Sequence, residues 1–163
     1  MTAKTLFITG ASSGIGAETA RAARRAGWNV GLFARSEDKL LALVEELGDR
    51  ALALPGDVTS LDEQNQALAK LRHAYGGVDA AFANAGMGVE AAGTENGDPE
   101  EWDKLVDVNI KGLLYTAKAA MPHLKLRKGH MVMTGSAAGR VHLSGSVYGA
   151  SKWFVHGYAG NLS

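Results

Sequence analysis

Five short apolar runs, each followed by a longer helical stretch, succeed one another along this chain of 163 residues. Lys4–Thr9, Asn29–Ala34, Arg50–Pro55, Val78–Ala83 and His130–Gly135 read as strands, being short and apolar and bounded by glycine, proline or polar residues. Gly14–Gly27, Ser36–Leu47, Thr59 or Ser60 to Tyr75, and Pro99–Arg127 read as the helices between them. A last helix opens at Ser146 or Val147 and is still running at Ser163. Gly86–Gly97 reads as a glycine-rich loop, and Pro122 predicts a kink or break in the long helix. Crossovers of this length pair strands in parallel with right-handed connections. The pattern therefore predicts an α/β fold: one domain over 1–163, a doubly wound parallel sheet with helices on both faces.

Composition narrows the function classes. Lys plus Arg and Asp plus Glu are 17 each, a balance that argues against a basic nucleic-acid binder. With no cysteine there is no disulfide, thiolate metal site or cysteine nucleophile. The five histidines (His73, His123, His130, His142, His156) show no metal-ligand spacing with carboxylates, so no metal is expected. No apolar run approaches the ~18–20 residues of a membrane span, and Met1-Thr2-Ala3-Lys4 carries no signal-peptide pattern. A cytoplasmic location is the expectation. Glycine is the outlier at 21 residues, roughly twice the usual ~7%.

Doubly wound sheets bind ligands beyond the carboxyl ends of their strands. After the first strand come Gly10-Ala11-Ser12-Ser13-Gly14-Ile15-Gly16, spaced G-x-x-x-G-x-G. Gly10 permits a tight turn, Gly14 lets the backbone approach a pyrophosphate, and Gly16 lets the helix pack close to the sheet; the helix N-terminus favours phosphate. After the second strand, Ala34-Arg35 offers a guanidinium for a 2′-phosphate and no carboxylate for a ribose, which points to NADP; Glu37 or Asp38 reaching the ribose is the NAD alternative. Asp57-Val58 after the third strand suits an adenine, or a plain turn. Asn84-Ala85-Gly86 after the fourth suits a ribose, or a tie between strands. Met87 and Val89 follow as candidates to touch substrate. After the fifth strand comes Ser136, and then Tyr148 and Lys152 at i and i+4 on one helix face. Asn109, a poor helix former, lies mid-helix and invites a kink.

Together these residues, in this order, resemble the short-chain dehydrogenase/reductase family: Thr9-Gly10-(x)3-Gly14-Ile15-Gly16, Asp57, Asn84-Ala85-Gly86, Asn109-(x)2-Gly112, Ser136 and Tyr148-(x)3-Lys152. Where relatives often carry two asparagines before Ala-Gly, this chain has Ala83-Asn84. The resemblance implies hydride transfer between NADP(H) and a carbonyl or secondary alcohol. Tyr148 would be the general acid or base. Lys152 would lower its pKa and bind the nicotinamide ribose. Ser136 would orient the carbonyl, and Asn109 would hold a relay water. Ser12, Ser13, Ile15, Val58 and Ala85 complete the implied cofactor contacts. The stretches Asn109-Ile-Lys-Gly-Leu, Gly135-Ser136-Ala-Ala-Gly139 and Val147-Tyr148-Gly-Ala-Ser-Lys152 are similar to NADP-dependent 3-hydroxy acid dehydrogenases.

The resemblance also implies parts beyond Ser163: a sixth strand, a Pro-Gly turn, a substrate-covering loop and a seventh strand. Either the sequence is incomplete, or a true truncation has left a dinucleotide-binding module without catalysis. An apolar stripe of Val147, Phe154, Val155 and Tyr158 would suit a homo-oligomer, dimer or tetramer. Trp28, Trp102 and Trp153 read as packing residues, and His142 as a loop residue.

Overall fold

The computed structural model describes residues 3–90 and 93–162. Met1, Thr2, Ala91, Ala92 and Ser163, on which parts of the sequence readings fall, lie outside the described residues. Five parallel strands, β1 (Thr5–Thr9), β2 (Asn29–Ala34), β3 (Ala51–Pro55), β4 (Ala80–Ala83) and β5 (His130–Met133), form one sheet in the order β3-β2-β1-β4-β5. The helices are α1 (Gly14–Arg25), α2 (Glu37–Leu47), α3 (Leu61–Tyr75), α4 (Pro99–Val106), α5 (Leu113–Arg127) and α6 (Val147–Leu162). The chain is thus the doubly wound α/β fold expected.

β1 and β2 are buried along their whole length, with apolar middles, because both sides of the sheet are covered. In β1, Leu6 and Ile8 pack with Val30, Leu32, Leu40 and Leu43 on the face covered by α1 and α2. Phe7, between them, points the other way and packs with Phe33, Leu68, Leu71 and Leu124. The alternation of successive side chains across a strand places them so.

The strand order reverses between β1 and β4, which opens a crevice at their carboxyl ends. β5 is shorter than expected because Thr134 leaves the ladder. Its N–H still reaches the Ala83 carbonyl at 3.1 Å, but its own carbonyl and hydroxyl bond to Lys152 and Asn84.

The helix expected over 99–127 is interrupted at Asn109, where a kink was expected, and not at Pro122. α5 runs unbroken through Pro122, which sits on its exposed side. Lys118, four residues earlier, is on that side too, so the carbonyl left without a helical donor faces water. The irregularity lies at Asp107–Gly112, a π-helical turn around Asn109.

Candidate functional site

The β1–α1 turn is set by two glycines. Gly10 has φ of +65°, a conformation that disfavours a side chain. A Cβ on Gly16 would run into the Gly10 carbonyl and lie 2.8 Å from Asn84 Nδ2, so only glycine lets α1 start this close to the sheet. Ser13 caps α1 in an extended conformation, yet its hydroxyl accepts no helical N–H. The first-turn donors of α1 are therefore not capped by that side chain.

A cleft of about 900 Å³ opens beyond this turn. Gly10, Ser12, Ser13 and Ile15 line one end. Arg35, exposed at the end of β2, and Asp57 and Val58, after β3, line its side. Asn84, Ala85 and Gly86 form the middle, and Tyr148 and Lys152 the far end. Of the sequence candidates, Gly14, Gly16, Asn109 and Ser136 do not form its wall. The cradle has the shape and chemistry a dinucleotide needs: a glycine turn with a helix N-terminus, a cation beyond β2 and small residues after β4.

Asn84 is the hub of the strand ends. Its Nδ2 donates to the carbonyls of Thr9 (3.1 Å) and Gly10 (3.3 Å), and its Oδ1 accepts from Thr134 Oγ1 at 2.9 Å. Its N–H and that of Ala85 donate to Thr9 Oγ1. Of the two readings of Asn84, the strand tie is the one its carboxamide makes. Asp57 Oδ1 accepts from the Thr59 N–H and hydroxyl, both at 2.9 Å, so one oxygen closes a turn.

Lys152 is buried, and its Nζ donates to the Thr134 carbonyl at 2.9 Å. Burial pulls its pKa below the ordinary lysine value. The same Nζ stands 5.8 Å from the centroid of the Tyr148 ring. Asn109 is buried on the π-helical turn, with both ends of its carboxamide on Met87 and its Nδ2 also on Ser151 Oγ. Ser136 caps the short 3-10 turn Ala137–Gly139: its Oγ accepts from the Ala138 N–H at 3.1 Å. His156 Nε2 lies 3.4 Å from the Ser136 carbonyl oxygen.

Some of this was not foreseen. Thr134 and Ser151 organise Lys152, Asn84 and Asn109 through hydrogen bonds, and nothing in their spacing announces it. Trp102, read as packing, lines a pocket next to Tyr148. His142 stacks on Trp153, with ring centroids 5.3 Å apart. The proposed apolar stripe is corrected at Val155, which is 3% exposed and packs with Ala83 and Leu113 beneath the sheet end. Among the described residues, no helix is long and apolar enough to cross a membrane.

The model of the family described as short chain dehydrogenase matches residues 4–163. An uncharacterized oxidoreductase of Staphylococcus aureus (strain MRSA252) is 37% identical over 159 residues, covering 96% of this chain and 68% of that protein. The closed form of serine dehydrogenase complexed with NADP+ superposes with a TM-score of 0.92 at 32% identity, over 97% of this chain and 64% of that one. The 3-ketoacyl-(acyl-carrier-protein) reductase of Brucella melitensis complexed with NADH gives 0.91 at 29% identity, over 99% and 69%.

Proposed function

The chain belongs to the short-chain dehydrogenase family, and from that premise we propose that it interconverts a carbonyl and a secondary alcohol using NADP(H). The observation that carries the reading is the placement of Tyr148 and Lys152, one helical turn apart, at the end of the cleft opposite the α1 N-terminus.

The bound dinucleotide supplies or accepts the hydride; the chain's own residues bind, orient and move protons. The backbone of Gly10, Ser12, Ser13, Gly14 and Ile15 holds the pyrophosphate, with Gly16 keeping α1 close. Arg35 meets the 2′-phosphate as a charge-assisted donor. Neighbouring folds carry NADP+ and NADH alike, so the choice of NADP rests on Arg35. Asp57 uses its second carboxylate oxygen to accept from the adenine amino group, and Val58 packs beside it. Asn84, Ala85 and Gly86 present a flat floor to the ribose, and Lys152 turns its remaining N–H donors to the ribose hydroxyls.

In reduction, the Tyr148 hydroxyl gives its proton to the carbonyl oxygen as the carbonyl carbon gains the hydride. The Lys152 ammonium beside the ring favours the charge left on the phenol oxygen. The Ser136 hydroxyl, which accepts from Ala138, keeps its own proton to donate to the substrate oxygen. Asn109 has its carboxamide engaged, so it serves a relay of protons back to Tyr148 by shaping the π-helical turn. Oxidation runs the same steps backwards. A homo-oligomer built on the helices around α6, acting in the cytoplasm, belongs to the same reading.

The test is a panel of ketones with NADPH, followed at the reduced cofactor's absorbance. Turnover that Tyr148→Phe abolishes while NADPH still binds supports the mechanism. A protein that binds NADPH but turns over no carbonyl overturns it.

A further inference from the structure

Next to Tyr148, on the side away from the phosphate end of the cleft, is a second pocket of about 230 Å³. Gly88 and Val89 from the loop after β4, Trp102 from α4, Gly145 from the loop before α6, and Val147 and Tyr148 from the start of α6 line it. Gly97 packs so closely on the indole that a Cβ there would lie 2.6 Å from Trp102 Cε2, which pins the ring in place. Thr94 Oγ1 donates to the Gly145 carbonyl at 3.2 Å and joins the two loops over the pocket. The described lining residues carry no charged side chain, and the Ser146 hydroxyl already accepts from the Gly149 N–H at 2.9 Å.

On one side of this pocket, up to Lys104 on the neighbouring cleft, the chain has one sign of charge. From Gly88 to Asp103 it carries Glu90, Glu95, Asp98, Glu100, Glu101 and Asp103 and no basic residue. Glu101 accepts from the Glu90 N–H at 3.2 Å, which holds a carboxylate against the loop that bears Val89. An anion entering here meets no cation among the described lining residues and is repelled by the acidic segment beside them.

We propose that this pocket takes one substituent of the substrate carbonyl, and that the substituent is uncharged, apolar and up to about phenyl size. The inference rests on the carbonyl–alcohol reading above and deepens it. The size limit follows from volume: an apolar cavity of ~150 Å³ holds benzene. A substrate carboxylate placed in this pocket would lack a basic partner among the described lining residues. Trp102 is the wall that selects flat or branched apolar groups, and Gly88 sets the depth. A Cβ on Gly88 meets no protein atom within 4 Å, so a side chain there can grow without a clash at its first atom.

Acetophenone and 4-acetylbenzoate differ by one carboxylate and serve as probes. Binding is read by tryptophan fluorescence in the NADP+-loaded protein, where no turnover occurs. Acetophenone should bind at least about tenfold more tightly, and added salt should narrow the gap as the acidic loop is screened. Trp102→Phe should remove most of the fluorescence response. Gly88→Val should move the ratio of kcat/KM for acetone over acetophenone upward by about tenfold or more. Equal or tighter binding of 4-acetylbenzoate, or no binding of acetophenone, overturns the pocket assignment even if other carbonyls are reduced. Binding of acetophenone in the expected order without reduction of any ketone by NADPH overturns the catalytic reading and leaves the pocket's selectivity standing.

Discussion

Asn109 holds the main chain of Met87 from both directions: its Oδ1 accepts from the Met87 N–H at 2.8 Å, and its Nδ2 donates to the Met87 carbonyl at 2.9 Å. The same Nδ2 reaches Ser151 Oγ at 3.2 Å, and that hydroxyl donates to the Tyr148 carbonyl at 2.7 Å. One carboxamide on the π-helical turn thereby joins the loop after β4 to the helix that carries Tyr148 and Lys152. Replacing it with leucine keeps the volume and strips all three bonds, leaving two partly buried backbone groups of Met87 unpaired. Asn109→Leu should therefore lose roughly 1–3 kcal/mol of stability, or more if neither group finds water. The midpoint of urea unfolding checks this. An unchanged midpoint would mean that solvent replaces the carboxamide and that the clamp does not hold the loops together.

Lys152 makes stability depend on pH in a particular direction. Burial depresses its pKa in the folded state, so between that value and the ordinary lysine value near ~10.4 the unfolded chain binds more protons. The stability lost by burying the cation is thus recovered as pH rises through this window. Relative to Lys152→Met, the wild-type protein should gain stability from neutral pH towards pH ~10. Parallel urea titrations of the two proteins at several pH values measure it. A difference that stays flat or falls with pH would show that Lys152 carries no burial penalty.

Gly16 tests the geometry of the β1–α1 turn without reference to any ligand. A Cβ there would meet the Gly10 carbonyl and stand 2.8 Å from Asn84 Nδ2, inside the network that ties β1 to β4. The neighbour is backbone and cannot swing aside. Gly16→Ala should cost about 1–3 kcal/mol, the usual range for overpacking, in spite of alanine's better helix propensity. Thermal unfolding monitored by circular dichroism would show it, and a variant as stable as the wild type would mean that α1 shifts outward at no cost.

Much of this arrangement is legible in the chain because strand ends and glycines are local signals. The runs around Leu6–Ile8 and Val30–Phe33 are apolar at every position, as buried parallel strands must be, and Gly10 and Gly16 mark a tight turn and a close approach. Tyr148 and Lys152 share a helix face by spacing alone. What was hidden depends on contacts between distant segments. The carboxamide of Asn84 spans three strands, Thr134 offers its carbonyl to a lysine eighteen residues later, and Val155 is turned inward by residues around Ala83 and Leu113. Pro122 misled because its side of α5 is exposed, where water can take the carbonyl that the proline leaves without a donor. The π-helical turn was half legible: Asn109 marked the place, while its bonds to Met87 could be seen only once β4 and α5 were brought side by side.

In the proposed reading, Arg35 is the residue on which the choice of cofactor turns. It stands exposed at the end of β2 and lines the cleft, and Ala34 before it offers no carboxylate to a ribose 2′-hydroxyl. A guanidinium on a phosphate forms charge-assisted hydrogen bonds, each contributing roughly 1.5–3 kcal/mol. Arg35→Ser should weaken NADPH binding by about tenfold to a hundredfold and leave NADH binding nearly as it was, because only NADPH bears the 2′-phosphate. The lost affinity should also remove part of the salt dependence of NADPH binding, since the ion pair is at the surface and screened. Titration of both cofactors into wild-type and variant protein, at low and at high salt, decides the matter. Parallel losses for NADPH and NADH would show that Arg35 supports the fold of the cleft, and undiminished NADPH binding would show that Arg35 does not meet the 2′-phosphate.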